Sequence, residues 1–360
     1  MASVGGRPRR TATARAKQGR AGEFRLTSRA AGVFLTTDRA NRLTPRRSEV
    51  RVHVSPEQVR LRLSSVAAVL IVAALPASAG GEVAGRNGDL VAFTRWFAPP
   101  KQPALGLVEL DGRDLRSVRT GVTPSYEAEW SPDGRSLLFR GGRADDLYVI
   151  RPDGSQRRQL TRSHQHEQAA AWSPDGTKIA FQRWAPNTFS SIWVLRVDTS
   201  AATRLTRDAL DAAQPSWSPD GSRIVFVSAT AKSGYEPVLW AMKADGSSQH
   251  RLFPHLRGAS DPAWSPDGRQ LMIADGDDLY VLNRQGRVLV KIALQASAAG
   301  EKTEPSPEWS PDGGSIIFDQ LDAQGRPGIW IVNADGTGRR RVIGASRAVP
   351  GATAPTLRPH

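Results

Sequence analysis

The pentapeptide Trp-Ser-Pro-Asp-Gly occurs five times, beginning at Trp130, Trp172, Trp217, Trp264 and Trp309, at spacings of 42, 45, 47 and 45 residues. A period in the forties built of short strands indicates a propeller blade of four antiparallel strands. Ser-Pro-Asp-Gly fits a type I turn, with Pro presetting φ at its second position and Gly at its fourth. Five residues after each Gly stands Phe139, Phe181, Phe226, Ile273 or Phe318, ending a strand-like run such as Lys178-Ile179-Ala180-Phe181. A further strand carries Tyr148, Trp193, Trp240, Tyr280 or Trp330. Five residues beyond each of these comes a tight turn such as Asp153-Gly154, Asp245-Gly246 or Asp335-Gly336. A fourth strand ends in Leu160-Thr161, Leu205-Thr206 and Leu252-Phe253. The five repeated Trp are expected in the core, where burying one indole contributes up to about 4–6 kcal/mol.

A sixth unit is split between the chain ends. Asn87-Gly88 is followed five residues later by Phe93, and Gly106 with Asp111-Gly112 matches the next strand and its hairpin. The missing first strand is supplied from the C-terminus. Pro355-Thr356-Leu357-Arg358-Pro359 aligns with Pro215-Ser216-Trp217-Ser218-Pro219, placing Leu357 at the Trp position. The last strand is expected to pair near Ala92 and close the ring, which removes an exposed sheet edge. The expected fold is all-β, a six-bladed β-propeller of four-stranded blades over residues 87–360, closed by the C-terminal strand.

The net charge of +14 first suggests a nucleic-acid or anionic partner. Its distribution argues otherwise. Residues 1–63 hold 15 Lys/Arg and four acids, or +11, while the rest holds 34 basic and 31 acidic residues, or +3. The expected leader, residues 1–62, lacks apolar periodicity and reads as disordered; translation starting downstream, between Val50 and Val54, is one account of it. Arg60 and Arg62 precede an uncharged stretch, Leu63 to Gly81, with an apolar centre from Val66 to Leu75 and then Ala77-Ser78-Ala79. That is the anatomy of a signal peptide over residues 63–79, cleaved near Ala79, with an N-terminal membrane anchor as the alternative. The mature domain is expected to be exported, periplasmic or extracellular, monomeric, and without a nucleic-acid partner. With no cysteine, disulfides, thiolate metal sites, cysteine nucleophiles and cysteine-linked lipid anchors are excluded.

Strand order assigns the faces. Turns joining the first to the second strand of a blade, and the third to the fourth, share one face. The remaining loops share the other. Length varies most in the loops between second and third strands, and variable loops on a repeated scaffold carry binding specificity. There the sequence places Trp96, Phe97, Trp184, Phe189 and Tyr235, which suit a protein or carbohydrate surface or pack over their own hairpins. Three residues before each motif Trp stand Glu127, Ala169, Gln214, Asp261 and Ser306, with Ala354 at the sixth place. This ring at the tunnel mouth is read as a small-ligand or hard-cation site, or as a hydrated rim.

No Gly-x-Ser-x-Gly elbow, phosphate-binding Gly-Lys-Ser/Thr loop or dinucleotide fingerprint is present. The one chemical cluster is His164-Gln165-His166-Glu167, with His255 in a corresponding loop. His164, His166 and His255 are candidate ligands for a divalent metal, against solvated loop histidines as the plainer reading.

The five motifs, together with lines such as Ile329-Trp330-Ile331-Val332-Asn333-Ala334-Asp335-Gly336, resemble the TolB-type propeller family. The resemblance covers residues 87–360. It implies a six-bladed, commonly exported propeller whose members often bind other proteins. Gly80 to Asn87 is too short for the α/β domain that precedes the propeller in TolB itself. Certain pectic-oligosaccharide lyases are similar to this propeller class and hold a metal through His and Gln. The expected function is a non-enzymatic binding module for a protein or cell-envelope component, with no cofactor. A carbohydrate-active lyase or other metalloenzyme, or a ligand sensor at the tunnel mouth, is the alternative.

Overall fold

The computed structural model describes residues 89–97, 101–207, 210–230, 234, 236–276, 278–294, 305–344 and 351–359. The leader, the signal segment, Asn87-Gly88 and Tyr235 lie outside the described residues. Among the described residues twenty-four strands form six four-stranded sheets. The first blade contains β1 (Leu90–Trp96), β2 (Ala104–Glu109) and β3 (Arg116–Ser117). The second runs β4 (Ser125–Trp130), β5 (Leu137–Gly141), β6 (Asp146–Ile150), β7 (Arg158–Gln159). The third runs β8 (His166–Trp172), β9 (Lys178–Trp184), β10 (Ser191–Arg196), β11 (Ala202–Arg204). The fourth runs β12 (Asp211–Trp217), β13 (Arg223–Ala229), β14 (Val238–Lys243), β15 (His250–Arg251). The fifth runs β16 (Ala259–Trp264), β17 (Gln270–Asp275), β18 (Asp278–Asn283), β19 (Val288–Ala293). The sixth runs β20 (Glu308–Trp309), β21 (Ser315–Leu321), β22 (Pro327–Asn333), β23 (Arg340–Ile343), and β24 (Gly351–Leu357) completes the first.

All ladders are antiparallel, and β24 pairs with β1 so that Thr356 lies opposite Ala92 and Leu357 opposite Val91. This is the closure expected from the aligned C-terminal motif. The innermost strands β4, β8, β12, β16, β20 and β24 touch in sequence around a complete ring. The core is divided accordingly into six apolar clusters, one at each seam between neighbouring blades. Trp130, Trp172, Trp217 and Trp309 are buried in these seams and Trp264 is half-buried, as Leu357 is buried at the sixth place.

The five motif turns share one construction. Each Gly amide donates to the motif Ser carbonyl at 2.8 Å, and each Ser hydroxyl donates to the turn Asp. The Gly residues take φ of 63–71°, which closes a type I turn into the next strand with little strain. In five blades the strand after the turn sets a Phe or Ile opposite the aromatic residue of the third strand, as in Phe139 opposite Tyr148. In the first blade the partner of Phe93 is Gly106, and the Phe93 ring fills the space a side chain there would need.

Candidate functional site

A bulge recurs in the innermost strands. Their register shifts at Tyr126/Glu129, Gln168/Ala171, Ala213/Ser216 and Ser260/Ala263, and again where β24 meets β1. At each bulge one residue takes positive φ: Glu127 (51°), Ala169 (48°), Gln214 (52°), Asp261 (46°) and Ala354 (48°). None is Gly, so each costs about 1 kcal/mol or more, and such strain concentrates at functional sites. These are five of the six tunnel-mouth positions picked out by their distance from the motif Trp.

The bulges bind the blades to one another. The Glu127 amide donates to Thr94 Oγ1 at 2.8 Å, and the Ala169 amide to Glu127 Oε2 at 3.2 Å. The Asp261 amide donates to Gln214 Oε1 at 3.1 Å, and Gln214 Nε2 returns a bond of 2.8 Å to Asp261 Oδ1. The Ser306 amide donates to Asp319 Oδ1 at 2.8 Å, and the Ala354 amide also bonds that carboxyl. The mouth ring is therefore a polar seam that ties successive blades.

On the second and third blades the ring extends outward as a charged relay. Arg140 donates to Glu127 Oε1 and to Asp145 Oδ1, both at 2.9 Å, and Asp145 Oδ2 meets His166 Nδ1 at 2.9 Å. Burial opposes the charge on Glu127, but the Arg140 guanidinium and the Ala169 amide outweigh it and hold the carboxyl below its ordinary range. Burial likewise disfavours the Arg140 cation, and Glu127 and Asp145 reverse that, raising its pKa. The relay is flanked by aromatic rings. Trp184 stacks on His166 with centroids 4.5 Å apart, and Tyr126 lies 4.5 Å beneath the Arg140 guanidinium. Trp96 lies 5.7 Å from Tyr126 and donates from Nε1 to Thr353 Oγ1. Trp96 and Trp184, at the ends of β1 and β9, thus bracket one continuous surface across three blades.

The histidines are not gathered as a metal set. His166 is engaged by Asp145, His164 is exposed, and His255 Nε2 faces Gly286 O of the fifth blade at 3.2 Å. Among the described residues no three His, Asp or Glu side chains converge as metal ligands. Glu167, the fourth residue of that cluster, is buried and paired with Arg183 Nη2 at 2.6 Å, and also accepts from the Thr161 hydroxyl. Burial nevertheless raises its carboxyl above the ordinary range.

Two further carboxyls line the tunnel one residue before a motif Trp. Glu129 Oε1 accepts from the Trp172 amide at 3.2 Å while its Oε2 has no partner, and Glu308 Oε1 accepts from the Thr356 hydroxyl at 3.0 Å. Both are half-buried on the innermost strands. Burial raises Glu308 to about 8, and burial together with the neighbouring Glu308 raises Glu129 well above the ordinary range. Asp319 is raised to about 6 by burial against its amide donors. Sequence reasoning missed Glu129, Arg140, Glu308 and Asp319. One signal was available: Thr94, Arg140 and Asp319 each directly follow the Phe that ends the regular part of the second strand, so they reach the same seam.

These features define an all-β, six-bladed propeller with a strained polar mouth and an aromatic-flanked loop face. Residues 98–268 match the family model of the TolB beta propeller domain. The structure is similar to TolB from Acinetobacter baumannii, with 18% identity, 77% of this chain and 68% of that one covered, and a TM-score of 0.65. It is also similar to the putative TolB from Agrobacterium tumefaciens, with 18% identity, 75% and 96% covered, and a TM-score of 0.54. A chain of the nidogen/laminin complex matches at 10% identity, 75% and 98% covered, with a TM-score of 0.59. At these identities the likeness is one of fold. No curated protein matches the sequence. No helix among the described residues is long and apolar enough to cross a membrane.

Proposed function

We propose that this propeller is an exported, non-enzymatic binding module that takes a protein or other cell-envelope component on its loop face. The observation that carries the reading is the continuous row of Trp96, Tyr126, Arg140, Asp145, His166 and Trp184 across three blades. Binding surfaces draw most of their affinity from a few aromatic and Arg anchors. Here the buried Arg140, fixed by two carboxylates, supports the Tyr126 ring, and Trp184 is held by the stacked His166 ring, so the half-buried aromatic rings are in place before a partner arrives. Phe189, 55% exposed in the adjoining loop, extends the apolar contact. The export reading rests on the basic flank, apolar run and Ala77-Ser78-Ala79 of the sequence.

The test compares what mature protein and its Trp96→Ala/Trp184→Ala variant retain from solubilised native envelope. Components retained by the first and lost by the second are the expected partners. Equal retention by both would contradict a loop-face site.

A further inference from the structure

We propose a second binding site, for a phosphoryl anion, on the opposite face of the ring, at the seam between the first and second blades. A cleft of about 340 Å³ opens there, lined by Arg116, Arg135, Arg151, Pro152, Asp153 and Arg358. Four arginines thus line the cleft with Asp153, and a second carboxylate, Asp114, pairs with Arg116. They come from four separate segments. Arg116 lies in β3, Arg135 follows the motif Gly134, Arg151 opens the turn after β6, and Arg358 follows Leu357 at the end of β24.

Comparison between blades explains why cations collect at this seam. In the five motifs the residue after Trp is Ser, whose hydroxyl is committed to the turn Asp at 2.5–2.7 Å. At the sixth place no turn follows, and Arg358 stands there instead. Its Nε donates to Gly134 O at 2.8 Å and its guanidinium lies over the Trp130 ring at 5.5 Å, which fixes it at the cleft. Several arginines on this face pair with an acid two residues away, as in Arg113 with Asp111, Arg196 with Asp198 and Arg269 with Asp267, while Arg284 donates to Gly268 O. Arg151 also has an acid two residues on, but Asp153 accepts from the Ser155 amide while Arg151 Nε turns to Gln156 Oε1 at 2.8 Å. Among the described residues Arg135, Arg151 and Arg358 have no carboxylate within ion-pair distance, and Arg116 pairs only with Asp114.

The ligand class follows from the shape of the donors. A planar carboxylate satisfies one guanidinium fork, whereas a tetrahedral phosphoryl group presents oxygens in several directions and carries up to two charges. Donors that converge from four segments fit the second. The site is open to water, so its affinity is expected to fall with salt. A phosphoryl group reaches an exported protein either as a soluble phosphate ester or as an anionic lipid headgroup.

The test uses the full chain at low ionic strength with two probes. Pyrophosphate is titrated calorimetrically, and vesicles of phosphatidylglycerol or of phosphatidylcholine are used in flotation. Pyrophosphate is expected to bind, and Arg135→Ala/Arg151→Ala, both exposed positions, to weaken it by about tenfold or more without lowering the melting temperature. Trp184→Ala, on the other face, is expected to leave it unchanged. Co-flotation with phosphatidylglycerol that pyrophosphate competes away identifies a headgroup source. Pyrophosphate binding without co-flotation identifies a soluble one. Absence of binding to both probes, or equal binding by the double variant, overturns the proposal. So does equal binding of poly-glutamate through the same arginines, since it removes the preference for phosphoryl groups.

Discussion

Gln214 and Asp261 occupy equivalent places in the fourth and fifth blades and bond reciprocally. The Gln214 amide donates to Asp261 Oδ1 at 2.8 Å, and the Asp261 backbone amide donates to Gln214 Oε1 at 3.1 Å. The backbone of Asp261 is at φ 46°, so this pair holds a strained bulge in place at the tunnel mouth. Gln214→Ala removes the acceptor of that amide and is expected to cost about 1–3 kcal/mol in urea unfolding. Gln214→Glu keeps the acceptor but sets a carboxylate against Asp261, so its deficit is expected to grow from pH 4 to pH 7.

The tunnel carboxyls make stability depend on pH. Glu308 titrates near 8 in the folded state against about 4.3 in the unfolded chain. An acid with a raised folded pKa holds its proton more tightly in the native state. Its neutral form carries no penalty below about pH 4, and stability is lost progressively as pH rises from there to 8. Glu129 and Asp319 act with the same sign. Glu308→Gln retains an acceptor for Thr356 and cannot ionise. Its melting temperature is expected to exceed that of the parent at pH 8.5 and to match it near pH 4; the reverse order would show that Glu308 is held as a stabilised anion.

Gly106 is required by packing. A Cβ there would sit 2.5 Å from Phe93 Cζ, within a fully buried ring. Gly106→Ala is expected to destabilise by about 1–3 kcal/mol, because the ring must leave its rotamer or the sheet must shift. Thermal unfolding of the variant checks this, and an unchanged melting temperature would contradict the packing seen at this strand pair.

The binding-module reading also predicts the metal content. Since His166 is committed to Asp145 and His255 faces Gly286 O, purified mature protein is expected to carry no stoichiometric transition metal, and chelator to leave its melting temperature unchanged. Stoichiometric metal lost on His166→Ala would favour the metalloenzyme alternative.

Much of the architecture was legible because each element carried a local signature. The turn chemistry of Ser-Pro-Asp-Gly located five strand pairs, and alignment of Leu357 with the motif Trp located the closing strand. The mouth ring was legible as a set of positions, but its conformation was not. Glu127, Gln214 and Asp261 carry none of the Gly signature that announces positive φ, and only cross-blade bonding holds them there. Glu129 and Glu308 read as ordinary polar residues of a strand, because partial burial in the tunnel is a property of the closed ring. The histidines show the limit of sequence proximity: His166 is engaged by Asp145, whereas His164, two residues before it, is exposed. The arginine cleft was hidden in the sum of charges, since a domain at +3 reveals nothing of four cations brought together from residues 116, 135, 151 and 358.

The central claim is that the loop face, and not the turn face, meets the partner. A photo-crosslinking residue placed at Phe189 on the loop face, or at the exposed turn residue Asp198, tests it in the native envelope. The account predicts discrete adducts from position 189 that disappear in the Trp96→Ala/Trp184→Ala background, and none from position 198. Adducts from position 198 alone, or adducts at 189 indifferent to both Trp substitutions, would contradict it.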